Sequence, residues 1–262
     1  MTTPSFVIDS DRLAQRFTKA YASYRANASV QGEMASRLMD YLSEFIKDKP
    51  INQALEMGVG SGLLTDAFLE RFVVNRLYLN DLYRQVRLNP LTPPPAHHRY
   101  LIGDIQTISL PSQLDLVLSS AMLQWIYPAD KLLARLYQAM ADGGVLAIGS
   151  FVKGNLGEIH QLTGQGLTYD TADELACRFI QAGFVVDVLD AYQSVLYFDS
   201  PMAVLRHMQA TGVTAAGAAF RWDKGRLAKF CDDYANMATD LGYALTYCPV
   251  LIIAHKPIKP AD

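Results

Sequence analysis

The run Ala54-Leu55-Glu56-Met57-Gly58-Val59-Gly60-Ser61-Gly62 constrains this chain more than any other stretch. An apolar segment carrying one carboxylate leads into three alternating glycines, and a helical apolar pattern over residues 63–72 follows at once. Glycine at every second position permits a tight turn and close approach of the backbone to a ligand, so the run reads as strand, ligand-binding turn and helix start. The strand is expected over residues 52–57, because Pro50 interrupts the helical pattern that spans residues 11–47.

The same alternation continues downstream. A second strand is expected over 76–80, ending at Asp81, with a short helix over 83–88 before the stiff Pro93-Pro94-Pro95 connection. Further strands are expected over 100–102 and 114–118, then a helix over 129–141, with Asp142-Gly143-Gly144 as punctuation before a strand over 145–148. Beyond Phe151 the pattern predicts helices over 172–182, 202–208 and 224–241, strand-like runs within 184–198, and one strand over 245–254. A glycine-bearing connection over 211–219 and a loose tail over 257–262 complete it. Repeated strand–helix units favour a parallel α/β sheet.

Composition narrows the function classes. The formal charge is −3, from 23 basic and 26 acidic residues, which gives no reason to expect nucleic-acid wrapping. Cys177, Cys231 and Cys248 form no CxxC pair, and their odd number fits a reducing compartment. The first residues lack a signal-peptide pattern and the apolar stretches are too short to span a bilayer, so the expectation is a cytoplasmic protein that does not insert in membranes. His97-His98 lies in a proline-rich region without further ligands, and no metal is expected.

The ligand follows from the acids around the turn. No Gly-Lys-Ser or Gly-Lys-Thr follows the glycines, which lowers the case for a phosphate-binding loop. Asp81, at the end of the second strand, is placed to accept hydrogen bonds from a ribose. A dinucleotide site shares that contact, but the acidic start of the glycine pattern and the lack of a second hydride-transfer domain favour S-adenosylmethionine. Glu56, Gly58 and Gly60 are then candidates for its polar end, Asp81 and Leu82 for ribose, and Asp104 and Ile105 for adenine. Ser120 opens the loop after the fourth strand, where Gln124 and Trp125 border the methyl group and the acceptor entrance. Each residue also has a structural reading: turn former, helix cap or core packing.

At whole-chain scale the sequence resembles the malonyl-acyl carrier protein O-methyltransferase family of biotin synthesis. The resemblance is carried by Arg16-Phe17-Thr18-Lys19-Ala20 with Tyr21 and Tyr24, the glycine segment, Gly103-Asp104-Ile105, the run Leu114 to Trp125, and Asp142-Gly143-Gly144. Phe151 to Gln161 and Met208-Gln209-Ala210-Thr211-Gly212-Val213-Thr214 carry it into the second half. It implies a class I methyltransferase: one Rossmann-like α/β domain over 1–262, with a seven-stranded mostly parallel sheet, flanking helices, an N-terminal helical segment over 11–47, and a helical lid over 199–244 between the last two strands. The implied reaction moves methyl from S-adenosylmethionine to the free carboxylate of malonyl-acyl carrier protein, leaving S-adenosylhomocysteine, with malonyl-CoA as a second acceptor. A carboxylate is already ionised near pH 7, so no dedicated base is expected. Tyr24, Tyr21 and Arg206 are the candidates for positioning the acceptor, and His160 is a weaker one. Arg206, Arg221, Lys224, Arg226 and Lys229 are candidates for steering an acidic carrier. The rival readings are a methyltransferase of free dicarboxylates and a noncatalytic binding protein on the same scaffold.

Overall fold

The computed structural model describes residues 24–47, 49–89, 91, 95–212 and 222–258. Seven strands form the main sheet: β1 (Ile51–Met57), β2 (Val74–Asp81), β3 (His97–Ile102), β4 (Leu114–Ser120), β5 (Met140–Phe151), β6 (Val185–Ala191) and β9 (Pro249–His255). Their order across it is β3-β2-β1-β4-β5-β9-β6. The pairs from β3 through β5 are parallel, and β9 runs antiparallel to both β5 and β6. The order reverses between β1 and β4, so the connections leaving these two paired strands go to opposite faces at the switch point where open α/β sheets bind ligands.

Strand alternation sorts the core into two layers. Ala54, Leu77, Leu116 and Ile253 pack on one face with Leu38, Met39 and Leu42 of α1 (Ser29–Ile46) and Phe68 of α2 (Leu63–Leu69). Leu55, Met57, Val117 and Ile252 pack on the other with Leu133 and Leu136 of α3 (Asp130–Ala139) and Phe179 of α5 (Ala172–Gln181). Burial on both faces is why the central strands read as nearly continuous apolar runs. The helical segment expected over 11–47 has, in its described part, a break at Ala28 between residues 24–27 and α1. The helix expected over 63–72 ends at Leu69.

Three expectations are corrected. Asp142-Gly143-Gly144 is part of β5 rather than a turn before it. The register jumps from Leu114↔Met140 to Leu116↔Val145, so these residues form a bulge. Gly143 (φ +75°) carries that bend, and its N–H donates to the Lys256 carbonyl. The strand expected over 245–254 is two strands: β8 (Tyr243–Tyr247) pairs with β7 (Ser194–Phe198) in a separate two-stranded sheet, and β9 returns to the main sheet after Cys248. An uninterrupted apolar run hid a change of sheet. The helix expected over 224–241 is α7 (Lys224–Ala235), and a tight turn pairing Thr239 with Gly242 precedes β8. The sequence pattern gives no sign of the short helix α4 (Gly157–Thr163).

Between β6 and β9, therefore, the chain builds β7, α6 (Pro201–Ala210), α7 and β8 as a layer beyond the main sheet. On the main sheet, Arg178 of α5 ties that helix to the start of α3 and to the segment before α5. Its guanidinium donates to Asp170 at 2.6 Å and to Asp130 at 2.7 Å, and the Asp170 carbonyl accepts the Lys153 N–H. Arg178→Ala leaves two carboxylates without their shared cation and is expected to lower unfolding free energy by roughly 1–3 kcal/mol. Chemical denaturation measures this, and an unchanged midpoint would show the network to be idle.

Candidate active site

The carboxyl ends of β1, β2 and β4 are fastened to one another by hydrogen bonds beyond the strand ladders. The Gly58 and Val59 N–H groups donate to the Asn80 carbonyl, the Gly103 N–H donates to the Asp81 carbonyl, and Ser119 Oγ donates to the Met57 carbonyl at 2.8 Å. Asn80 Nδ2 donates to the carbonyls of Leu101 and Gly103. The turn above this edge uses left-handed backbone at Gly58 (φ +74°), Gly60 (φ +53°) and Gly62 (φ +81°). A side chain at Gly58 would also strike Met122, whose Cγ lies 2.5 Å from the Cβ position. Sequence spacing alone carried that requirement.

A cavity of about 170 Å³ opens over the turn. Gly58, Gly60, Asp81 and Leu82 line it on the β1–β2 side; Asp104 and Ile105 line it from the loop after β3, and Ser120 from the end of β4. Seven of the eight expected cofactor residues are thus brought together. Asp81 Oδ2 accepts the Gly60 N–H at 2.8 Å and Oδ1 accepts the Tyr83 N–H at 2.8 Å. Burial raises its carboxyl above the usual range, and these backbone N–H groups oppose the shift. Asp104 Oδ1 accepts the Gln106 N–H at 2.9 Å and so shapes its own loop.

Glu56 is placed differently. Strand alternation puts it on the Ala54 face, beneath the first turn of α2, where it is fully buried and is not among the lining residues. Thr65 Oγ1 donates to Oε2 at 2.7 Å, whereas Oε1 has no partner among the described residues. Burial pushes its carboxyl up to about 8, the Thr65 hydroxyl opposes this, and Asp81 adds to it. Ser120 Oγ is a second buried oxygen without a partner among the described residues, and this one faces the cavity.

A narrow junction continues from this cavity. Tyr24, Gln31, Ala121 and Trp125 line both spaces, and Asn155, Tyr169, Thr211 and Tyr247 extend the junction inward. Asn155 Nδ2 donates to Tyr169 Oη at 2.9 Å, and Tyr247 Oη lies 2.9 Å from His207 Nε2. Burial pushes the Tyr24 and Tyr169 phenols up to about 12, raises that of Tyr247, and lowers the His207 imidazole. All four groups are therefore neutral near pH 7. No Lys, Arg, Asp or Glu lines the junction among the described residues. Gln31, Asn155, Tyr169 and Tyr247 escaped sequence reasoning because nothing local marks them; Tyr247 sat inside what reads as an apolar strand.

The remaining candidates fall elsewhere. Tyr21 and Arg221 lie outside the described residues. Arg206 is exposed on α6 and lines none of the cavities described, whereas its neighbours Leu205 and Met208 line a second cavity with Trp125 and His160. Lys224, Arg226 and Lys229 are exposed on α7; Arg226 pairs with Asp223 and Lys229 with Asp233. His97 and His98 are exposed on β3, and no metal-type cluster occurs among the described residues. Among those residues no helix is long and apolar enough to cross a membrane.

A strand-edge cavity over a glycine turn, with an acid at the end of each of the first two strands, defines the methyltransferase class. The family profile described as "Methyltransferase domain" matches residues 55–148. The phosphoethanolamine N-methyltransferase 2 of Haemonchus contortus, solved with S-adenosyl-L-methionine, shares the fold with a TM-score of 0.55 at 15% identity, over 97% of this chain and 61% of that one. Sequence relatives specify the branch. The malonyl-acyl carrier protein O-methyltransferase of Acinetobacter baylyi is 38% identical over 95% of this chain and 98% of its own length. That of Chlorobium phaeovibrioides is 36% identical over 96% and 98%. The chain belongs to the malonyl-acyl carrier protein O-methyltransferase family.

The buried acid gives this site a pH signature. The unfolded Glu56 carboxyl titrates near 4.5 and the folded one near 8. Between those values the folded state holds the extra proton, so stability of the ligand-free protein falls as pH rises through that window. Glu56→Gln is expected to flatten that slope in thermal melts from about pH 5 to about pH 8. A slope the same as the parent's would show that Glu56 is not the group responsible.

Proposed function

We propose that this protein transfers the methyl group of S-adenosylmethionine to the free carboxylate of malonyl-acyl carrier protein, giving the methyl ester used in biotin precursor synthesis, with malonyl-CoA as a second acceptor. Family membership supports the reaction, and the junction between the cofactor cavity and a second cavity is the observation that carries the reading. Bound over the glycine turn, the cofactor would set its ribose hydroxyls against Asp81 and its adenine between Asp104 and Ile105. Ser120 Oγ and the underlying Glu56 would serve its amino-acid end. Its chemistry is a methyl group activated by a positively charged sulfur.

The residues of the junction would do the rest by positioning. The phenols of Tyr24 and Tyr169 and the amide of Gln31 offer neutral donors to a carboxylate, holding one oxygen in line with the methyl carbon and sulfur. That oxygen forms the new C–O bond as the C–S bond breaks and its electron pair stays on sulfur. No proton moves. The step joins an anion to a cationic donor and leaves two uncharged centres, so a junction without charged side chains favours it more than water does. Arg206, exposed on the outer face of α6, is better placed to meet the acidic carrier than to hold the carboxylate, and Lys224 on α7 adds to that field. Residues 199–244, with α6 and α7, would act as the lid over this entrance. The protein would work in the cytoplasm on a soluble carrier, with no nucleic-acid or membrane partner.

Parallel reactions of labelled S-adenosylmethionine with malonyl-acyl carrier protein, malonyl-CoA and free malonate test the reading, with the methylated atom located by mass spectrometry. The expected product is the carrier-bound methyl ester, formed far faster than methyl malonate. Equal use of free malonate would favour a small-molecule enzyme, and cofactor binding without turnover would favour a noncatalytic role. Tyr24→Phe removes a hydrogen bond to a charged acceptor and is expected to lower acceptor kcat/KM by roughly 10–100-fold. Cofactor affinity should stay unchanged; a Tyr24→Phe enzyme with parental kinetics would take the hydroxyl out of the mechanism.

A further inference from the structure

We propose that the second cavity is the channel for the pantetheine arm of the carrier, with Lys153 at its rim meeting the arm's phosphate; the assignment rests on the reading of the acceptor as a carrier-bound malonyl group. The cavity, of about 310 Å³, lies between α4 and α6, with Trp222, just before α7, also lining it. That volume falls at the lower end of ligand sites, ~300–1,000 Å³. Trp125 lines this cavity, the junction and the cofactor cavity, so the three spaces meet at one side chain. Asn155, Leu167 and Tyr169 are also shared between the junction and the second cavity.

The wall suits a thin, uncharged, mixed-polarity chain. Apolar surface from Leu156, Ile159 and Met208 alternates with the polar side chains of Asn155, Thr163 and Gln165. A pantetheine arm has that character: methylenes and a gem-dimethyl group separated by two amides and a hydroxyl, ending in a thioester at one end and a phosphodiester at the other. A free dicarboxylate has no use for such a passage. Among the described residues, Lys153 is the one lysine or arginine that lines it. Its side chain is exposed and forms no ion pair among those residues. Glu174 feels the Lys153 charge, but its carboxylate accepts the Thr171 N–H in a helix-capping box. Arg226 and Lys229 of α7, by contrast, already face Asp223 and Asp233. The thioester end would therefore point toward Trp125 and the junction, and the phosphate toward Lys153.

Gly157 provides a place for a plug. Gly157 lines the cavity, a Cβ added there meets nothing within 4 Å, and its backbone is not in the left-handed region, so Gly157→Leu adds bulk to the cavity wall with no clash at Cβ. In the full-length enzyme this variant is expected to raise KM about tenfold or more for both malonyl-acyl carrier protein and malonyl-pantetheine, with cofactor affinity within about twofold of the parent. Lys153→Glu is expected to raise KM several-fold for the carrier substrate and not for malonyl-pantetheine, which lacks the phosphate. A readout free of turnover is also at hand, because both tryptophans of the chain, Trp125 and Trp222, line this cavity. Phosphopantetheine titrated into the protein should change tryptophan emission, and Gly157→Leu should abolish that change. Unmoved KM values in a Gly157→Leu enzyme that methylates malonyl-acyl carrier protein, or a fluorescence response that survives the plug, would overturn the channel. A parent enzyme that methylates no malonyl acceptor, yet shows a fluorescence response that Gly157→Leu abolishes, would sink the proposed reaction and leave the channel standing.

Discussion

The Asp81 carboxylate, taking the Gly60 N–H with one oxygen and the Tyr83 N–H with the other, is the constraint on which the site depends. It joins the end of β2 to the turn after β1 across the sheet edge, and so fixes a loop whose three glycines all have left-handed backbone. Arg25 adds an outer brace, donating to the Ser61 carbonyl at 3.0 Å and to Asp66 at 2.6 Å. Asn89 Nδ2 donates to the Gly60 carbonyl. Each brace satisfies a polar group of the turn while leaving its cavity face open. A ribose diol arriving at Asp81 would meet a carboxylate already oriented by backbone donors, and little rearrangement is needed for binding.

Charge is distributed with the same economy. The acids lie under and beside the cofactor cavity, where a positively charged sulfur and ammonium would stabilise their ionised forms and reverse the upward pull of burial on Glu56. The junction is neutral, with phenols and amides where a carboxylate site could carry an arginine clamp. A clamp would bind the anion more tightly in the ground state than in the transition state, where its charge is being lost. Lys153, Arg206 and the cations of α7 are exposed, where they would bear on encounter with a partner rather than on the reacting atoms.

Much of this was legible in the sequence where local rules decide. Alternating glycines after a buried strand, an acid ending the next strand, and repeated strand–helix units are enough for the sheet edge and for most of the cofactor cavity. Glu56 shows where such reading stops: strand alternation turns it under α2, so the same acid can matter to the cofactor from beneath and not from the cavity wall. The junction was less legible because its residues come from the segment before α1, α1 itself, the loop after β4, the segment after β5, the end of α6, and β8. Only the switch of the chain from β8 to β9 at Cys248 brings Tyr247 opposite Tyr24 and Tyr169. A run of apolar residues carries no sign of that change of sheet. Arg206 was placed by resemblance to a lid, and helix phase then set it on the outer face while Leu205 and Met208 took the inner one.

One continuous space runs from the glycine turn through a neutral junction at Trp125. A crystal structure with S-adenosylhomocysteine tests it most directly. The expected structure has ribose hydroxyls on Asp81, adenine between Asp104 and Ile105, and the sulfur facing the space between Tyr24 and Trp125. Density that places the sulfur away from that junction, or the nucleoside away from Asp81, would contradict it.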